Sequence, residues 1–507
     1  MRSEFASAPW PSCPAPFNLA AHVLARAGAR ADRSALQVVR PTGAERWSYA
    51  RLEAAVRGTG TGFGRMGLAP GARILMRLGN TPDFPVVYLA ALAAGFVPVP
   101  TSPLLTGPEI MRMAAVVAPD LIVAGPDIAL PDPLTCPVLP SDRLADMAAL
   151  PPCDYDMGSP DRLAYVVFTS GTSGRPQAVA HAHRAIWARG MMHQGWYGLT
   201  EDDRLLHAGA FNWTFTLGTG LLDPWTVGAT ALIPAPGVTP AQIPHLARRF
   251  DATILAGAPG VFRQMLREGM PPLPRLRHAL VAGERLPEAL RDDWVAATGT
   301  PMHESLGMSE CSTFISGSPA RPAPRGATGH PQPGRHVAIL GPDGAPVPIG
   351  ETGELAIARS DPGLFLEYIG DPAATAARFR GDWFLTGDMA RADAGGAITY
   401  LGRDDDMMNA GGFRVSPTEV EAAFADCPGV AECAAVEVEV RADVRVIGLF
   451  YTGPQPLDEA ALVAHAQARL ARYKAPRLYR HLDALPRGAN NKLNRRALRA
   501  LGAGDSA

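Results

Sequence analysis

The run Thr169-Ser170-Gly171-Thr172-Ser173-Gly174-Arg175-Pro176 directly follows the apolar segment Leu163-Ala164-Tyr165-Val166-Val167-Phe168. The apolar segment reads as a buried β-strand. The run after it packs hydroxyl side chains and glycines into six consecutive positions. A loop of this kind turns backbone N–H and side-chain O–H donors toward an anion, and its glycines let the backbone come close. Phosphate is the natural guest. The lysine-bearing GxxxxGK[ST] loop does not match, which speaks against an ordinary P-loop nucleotidase. A plain Gly/Ser surface turn is the alternative that this stretch leaves open by itself.

The chain has 507 residues, too many for one core, so at least two domains are expected. Hydrophobic residues at 47% and charged residues at 19% fit a globular protein. The net charge of −2 gives no basis for a nucleic-acid or anionic-membrane partner. Residues 1–17 are broken by prolines and do not read as a secretory signal. No apolar run approaches the roughly 18 residues of a membrane span. The six cysteines (Cys13, Cys136, Cys153, Cys311, Cys427, Cys433) are scattered without a CxxC. That pattern favours free thiols and a cytoplasmic location, with Cys427 and Cys433 as two core thiols rather than a redox pair.

Through the first 400 residues, strand-like runs alternate with Ala/Leu/Arg-rich helical runs: strands at 72–78, 121–123 and 252–256, and a helix at 85–94. The alternation predicts an α/β fold with substantial parallel sheet. From about residue 329, short strands at 337–340, 353–358 and 397–400 lie between Gly/Pro/Asp turns, which predicts a smaller β-rich subdomain. After the Asp- and Gly-dense segment 402–412 come a helix at 417–425, strands near 431–440 and 444–451, and a helix at 459–471. This reads as a compact α+β domain, giving an N-terminal unit of residues 1–403 and a C-terminal unit of 404–507.

Four further blocks carry chemistry. Thr386-Gly387-Asp388 ends an apolar strand with a carboxylate suited to accept two hydrogen bonds from a ribose diol, or to cap a turn. Gly402-Arg403-Asp404-Asp405-Asp406 leads into Asn409-Ala410-Gly411-Gly412-Phe413-Arg414, and Ser416-Pro417 is a helix start. Ser305-Leu306-Gly307-Met308-Ser309-Glu310 offers a carboxylate beside a hydroxyl. Leu485-Pro486-Arg487-Gly488-Ala489-Asn490-Asn491-Lys492 brings one lysine near the end, in what otherwise reads as a basic tail.

Taken with the 169–176 loop, these blocks resemble, in the correct order over nearly the whole chain, the adenylate-forming superfamily, in its acyl-CoA synthetase branch. The resemblance implies an ATP-dependent carboxylic acid–CoA ligase with a small mobile C-terminal domain, using ATP, Mg²⁺ and CoA. It makes Thr169, Ser170, Gly171, Thr172, Ser173 and Gly174 the phosphate loop. Gly283 and Glu284, with Leu306, border the adenine. Ser309 bonds phosphate, Glu310 holds Mg²⁺, and Asp388 and Arg403 hold the ribose. Asp405 becomes the hinge, Gly411 and Gly412 the CoA path, Arg414 a phosphate contact, and Lys492 the catalytic lysine of adenylation. Three positions depart from the pattern. Gln177 stands where a lysine usually follows the loop's proline, Leu306 stands for an aromatic residue, and Asn491 stands for glycine.

Amino-acid-activating relatives carry an aspartate shortly after a phenylalanine; the matching stretch is Phe211-Asn212-Trp213-Thr214, without a carboxylate. That speaks against an α-amino acid. Phe211, Asn212 and Trp213 are the candidate pocket, suited to an aryl or apolar aliphatic acid, although an aromatic core cluster reads the same way. Two other readings stay open. One is a stand-alone acyl-adenylating enzyme that loads a carrier protein; the other is a nucleotide-binding homologue with decayed catalysis.

Overall fold

The computed structural model describes residues 1–170, 176–410, 413–441, 444–470, 472, 474–488 and 492–503. Its largest sheet has nine strands. Six of them run parallel, in the spatial order Met302–Met308, His278–Ala282, Ile254–Gly257, Arg204–His207, Thr230–Pro234 and Ser34–Arg40. These strands are buried over most of their length, as parallel sheets covered on both faces require. A second, four-stranded parallel sheet (Val97–Pro100, Arg73–Arg77, Leu121–Ala124, Val138–Pro140) stands beside it. The helix Asp83–Ala93 is buried at every position from Phe84 to Ala93. A helix apolar all round belongs inside, and this one lies in the main core.

The 163–168 segment forms Leu163–Ser170, paired antiparallel with Pro176–Ala182. The β-rich part is a six-stranded antiparallel sheet built on Thr352–Ala358 and Trp383–Ala392. The chain start joins it: Glu4–Ala6 pairs with His336–Leu340. Beyond strand Ile398–Arg403, helices Pro417–Ala423, Glu459–Arg469 and Arg495–Ala503 accompany strands Glu432–Arg441, Val444–Thr452 and Leu478–His481. Val415, Val420, Phe424, Ile447, Leu449 and Leu462 close a separate core there. Ser416 caps its helix as expected, accepting from the Glu419 N–H, with Pro417 in the first turn.

Polar contacts tie this last part to the large one. Arg285 donates to the Thr418 carbonyl at 3.1 Å, and the hydroxyls of Ser416 and Thr418 donate to the Leu401 carbonyl. Arg263 meets Glu432 at 3.4 Å, Arg487 meets Glu432 at 2.9 Å, and Arg487 meets Glu284 at 3.5 Å. Four charges of alternating sign thus run across the junction. Among the described residues, no helix is long and apolar enough to cross a membrane. All six cysteines are free thiols.

Candidate active site

Ligands of open α/β sheets bind outside the C-terminal ends of the parallel strands. Asp388 lies buried on strand Trp383–Ala392. Its strand pairs antiparallel with Ile398–Arg403 so that Asp388 faces Arg403, with the guanidinium 3.2 Å from the carboxylate. Gly387 has φ +74°, and a Cβ there would come within 3.1 Å of the Arg403 Nη2, so the glycine meets two demands. Arg403 and Arg378 both donate to the Thr386 carbonyl. Burial pushes the Asp388 carboxyl up to about 6, against the pull of Arg403 and Arg378.

Glu310 follows strand Met302–Met308 and is buried. Tyr368 donates its hydroxyl to the Glu310 carboxylate at 2.6 Å, and burial together with that carboxylate raises the phenol's pKa. The neighbouring Ser309 carbonyl meets His181 Nε2 at 2.7 Å. The His181 ring stacks on Tyr165 with centroids 4.8 Å apart, and burial lowers its pKa to about 4. A neutral imidazole therefore donates to that carbonyl and fixes the turn. Leu306 is half-buried against the core of the β-rich part, beside a register shift in its strand.

Gly283 ends strand His278–Ala282 at φ +95°, and a Cβ would fall 2.8 Å from the Trp213 ring. Glu284 follows it; burial raises its pKa, while Arg487, Arg263 and Lys492 oppose. The Gly488 N–H donates to the Lys492 carbonyl at 2.7 Å. Solvent reaches much of Lys492, yet protein packed around its side chain still lowers the ammonium pKa. Glu284, Asp388 and Glu310 raise it and Arg403 lowers it, so Lys492, from the C-terminal part, shares one electrostatic neighbourhood with four residues of the large part. Thr169 and Gln177 face each other in the Leu163–Ser170 hairpin.

The candidate pocket residues separate. Phe211 is fully buried in the main core, with its ring 5.6 Å from Phe84. Trp213 is partly exposed and stands edge-on to Phe215 at 5.1 Å. The Asn212 side-chain oxygen is buried. Gly171, Thr172, Ser173, Gly174, Gly411 and Gly412 lie outside the described residues, as do the side chains of Ser170, Asp405 and Arg414. In backbone, Arg414 lies in strand Phe413–Val415 and Asp405 in the turn Asp404–Asp406.

Sequence reading missed Tyr368, His181, Arg378 and Arg487. Tyr368 and His181 reach the site from distant segments and, like Arg378, stand in no recognisable block, whereas Arg487 lies inside the 485–492 block without having drawn a role of its own.

The arrangement has close relatives. An AMP-binding enzyme family model matches residues 24–369, and the AMP-binding enzyme C-terminal domain model matches residues 419–492. A 3-hydroxybenzoate–CoA ligase of Aromatoleum sp. (strain CIB) is 30% identical over 487 residues, covering 90% of this chain and 92% of its own. The crystal structure of a benzoate CoA ligase from Burkholderia xenovorans LB400 superposes with a TM-score of 0.86 at 27% identity, over 95% of this chain and 100% of that one. ATP-bound MatB from Rhodopseudomonas palustris gives 0.86 at 26% identity, over 97% of this chain and 99% of that one. Apo MatB, at the same identity and coverage, gives 0.77. With the first family match alone spanning well over half of its length, this chain belongs to the AMP-binding enzyme family.

Proposed function

We propose that the protein is an ATP-dependent carboxylic acid–CoA ligase acting on an aryl or apolar aliphatic acid. The observation that carries the reading is the meeting of Lys492, from the end of the chain, with Glu284, Glu310, Asp388 and Arg403 of the large part. The named relatives and neighbours, CoA ligases of aromatic acids among them, support the same chemistry.

A carboxylate is a poor acyl donor because its oxide leaving group is too basic. In the first half-reaction a carboxylate oxygen attacks the α-phosphorus of ATP. The bond to the bridging oxygen breaks and pyrophosphate leaves, giving an acyl-adenylate. In the second, the CoA thiolate attacks the acyl carbon and AMP leaves. Positioning and charge stabilisation supply most of the catalysis. In this reading Asp388 and Arg403 hold the ribose, Gly283, Glu284 and Leu306 border the adenine, and the 169–174 loop and Ser309 bind phosphate. Lys492 sets the substrate carboxylate against the α-phosphate, and Arg414 reaches the nucleotide phosphate. The part beyond Arg403 then turns about Asp405, carrying Lys492 away and bringing Gly411 and Gly412 to the CoA path.

Among the described residues no cluster of three or more metal-ligating side chains exists. A single buried carboxylate, Glu310, oriented by Tyr368, fits Mg²⁺ all the same, since that ion commonly takes one or two carboxylates and fills its shell with substrate phosphates and water. When bound there it supplies charge neutralisation to the phosphates. A cytoplasmic location belongs to the same reading.

The raised carboxyl of Asp388 makes ATP binding pH-dependent. Below about 6 the carboxyl is protonated and loses the charge that attracts Arg403 and the ribose hydroxyls. KM for ATP is therefore expected to rise as pH falls through about 6 and to level off above it. Initial rates from pH 5 to 8 check this, and a flat KM removes Asp388 from the ribose site.

The test of the function is mass spectrometry of products from protein, ATP, Mg²⁺ and a pool of aryl and aliphatic acids, with and without CoA. An acyl-CoA product is expected. Acyl-adenylate that never becomes acyl-CoA would move the acceptor to a carrier protein, and no product from any acid would overturn the ligase reading.

A further inference from the structure

Strand Arg204–His207 ends in a histidine that is fully buried, and neither ring nitrogen has a hydrogen-bond partner in the protein. Thr216, the first residue of the π-helical segment Thr216–Leu222, is also fully buried with its hydroxyl unpartnered. The two converge on Gly209. A Cβ there would fall 2.1 Å from Thr216 Oγ1 and 3.1 Å from His207 Nδ1. Gly220 seats the other side of the ring, since a Cβ on it would fall 2.8 Å from the His207 Cβ. Short π-helical segments are costly to keep and concentrate at functional sites.

The pair is joined to the nucleotide side by aromatic rings. The Trp213 ring lies against Gly283; Phe215 stands edge-on to Trp213 at 5.1 Å, and His207 stands edge-on to Phe215 at 4.4 Å. From Gly283 to His207 the residues in sequence of contact are therefore aromatic and apolar, each ring edge-on to the next, until two polar groups are met. Burying an imidazole and a hydroxyl side by side without partners is unfavourable, because each loses its hydrogen bonds to water.

We infer that His207 and Thr216 read a hydroxyl or amino substituent on an aromatic carboxylic acid, at the end of the acyl site away from the carboxylate. The inference rests on the ligase reading above and names the class of acid. Burial alone lowers the His207 imidazole to about 3, so it is neutral and offers one donor and one acceptor. Thr216 offers both as well. A neutral O–H or N–H group complements such a pair. A second carboxylate does not, because Arg189, packed on Gly218 of the same helix, already holds Asp223 at 2.9 and 2.5 Å and Ser312 at 2.7 Å.

Sites built to bond a substrate hydroxyl discriminate strongly against analogues that lack it, because their own polar groups are then left unpaired. The test compares kcat/KM for benzoate with that for ortho-, meta- and para-hydroxy- and aminobenzoates. The best substituted acid is expected to exceed benzoate at least about tenfold. Thr216→Val, nearly isosteric, is expected to shrink that ratio by about tenfold, Thr216→Ser to keep it, and His207→Phe to shrink it likewise. Thermal melts of each variant establish folding. Wild-type preference for benzoate or an aliphatic acid overturns the inference and leaves the ligase reading standing. So does loss of activity by one common factor on every acid in both Thr216→Val and His207→Phe. No ATP-dependent product from any acid overturns both.

Discussion

Replacing Lys492 with alanine is expected to slow acyl-adenylate formation by roughly a hundredfold to a thousandfold, the cost of removing one preorganised charge from a developing transition state. The same variant is expected to make thioester from supplied acyl-adenylate and CoA at near the wild-type rate, since in the proposed cycle Lys492 is withdrawn during the second half-reaction. Single-turnover measurements of the two steps check this, and equal loss in both would sink the assignment. Arginine is a poor substitute here. The chain carries only two lysines, Lys474 and Lys492, among 47 basic residues. Lys474 is paired with Glu419 at 2.5 Å on the far part. A chain that uses arginine almost everywhere keeps a compact ammonium at 492, and in the proposed role that ammonium sits between a carboxylate and a phosphate, for which a planar guanidinium is too broad. Lys492→Arg is therefore expected to recover little of the adenylation rate.

The second large effect is expected at Glu310. Glu310→Gln keeps the shape and removes the charge, and adenylation is expected to fall by about a hundredfold, with a steeper dependence on Mg²⁺ concentration. Tyr368→Phe leaves the carboxylate in place without the 2.6 Å hydrogen bond that aims it. Loss of such an orienting partner typically costs about tenfold in metal affinity or activity. Titrating Mg²⁺ at fixed ATP separates the two. Tyr368→Phe should shift the midpoint and recover at high Mg²⁺, whereas Glu310→Gln should stay slow. If Tyr368→Phe matches wild type throughout, the hydroxyl has no part in holding the ion.

Much of this was readable from the chain, for definite reasons. Thr386-Gly387-Asp388 and Arg403 sit on two strands joined by a short connection, so one antiparallel register brings Asp388 opposite Arg403. The helix expected at 417–425 ends at Ala423, and Ser416 caps it, because capping is decided within four residues. Tyr368 was not readable: it lies 58 positions from Glu310, on a two-residue strand, Glu367–Tyr368, with no periodicity to announce it. His181 reaches Ser309 across 128 positions. The aromatic stretch around Phe211 and Trp213 shows the other limit. A local run of rings does not say which ring lines a cavity, and only tertiary packing sends Phe211 into the core beside Phe84 while Trp213 stays partly exposed. The π-helical segments His193–Tyr197 and Thr216–Leu222 give no sequence signal distinct from an ordinary helix.

The alternating charges Arg263, Glu432, Arg487 and Glu284 are each only about a quarter exposed and span the seam between the two parts. Ion pairs at such a seam weaken as the Debye length shrinks, from about 10 Å at 0.1 M salt to about 3 Å at 1 M. Ionic strength thereby becomes a lever on timing. In the proposed cycle, dilute buffer is expected to hold the seam closed and leave its release as the slow event, while concentrated salt is expected to loosen it and shift the delay to adenylation. Half-reaction rates measured from 0.02 to 1 M sodium chloride should cross over in this sense, and parallel slopes would show that the seam opens without regard to these four charges.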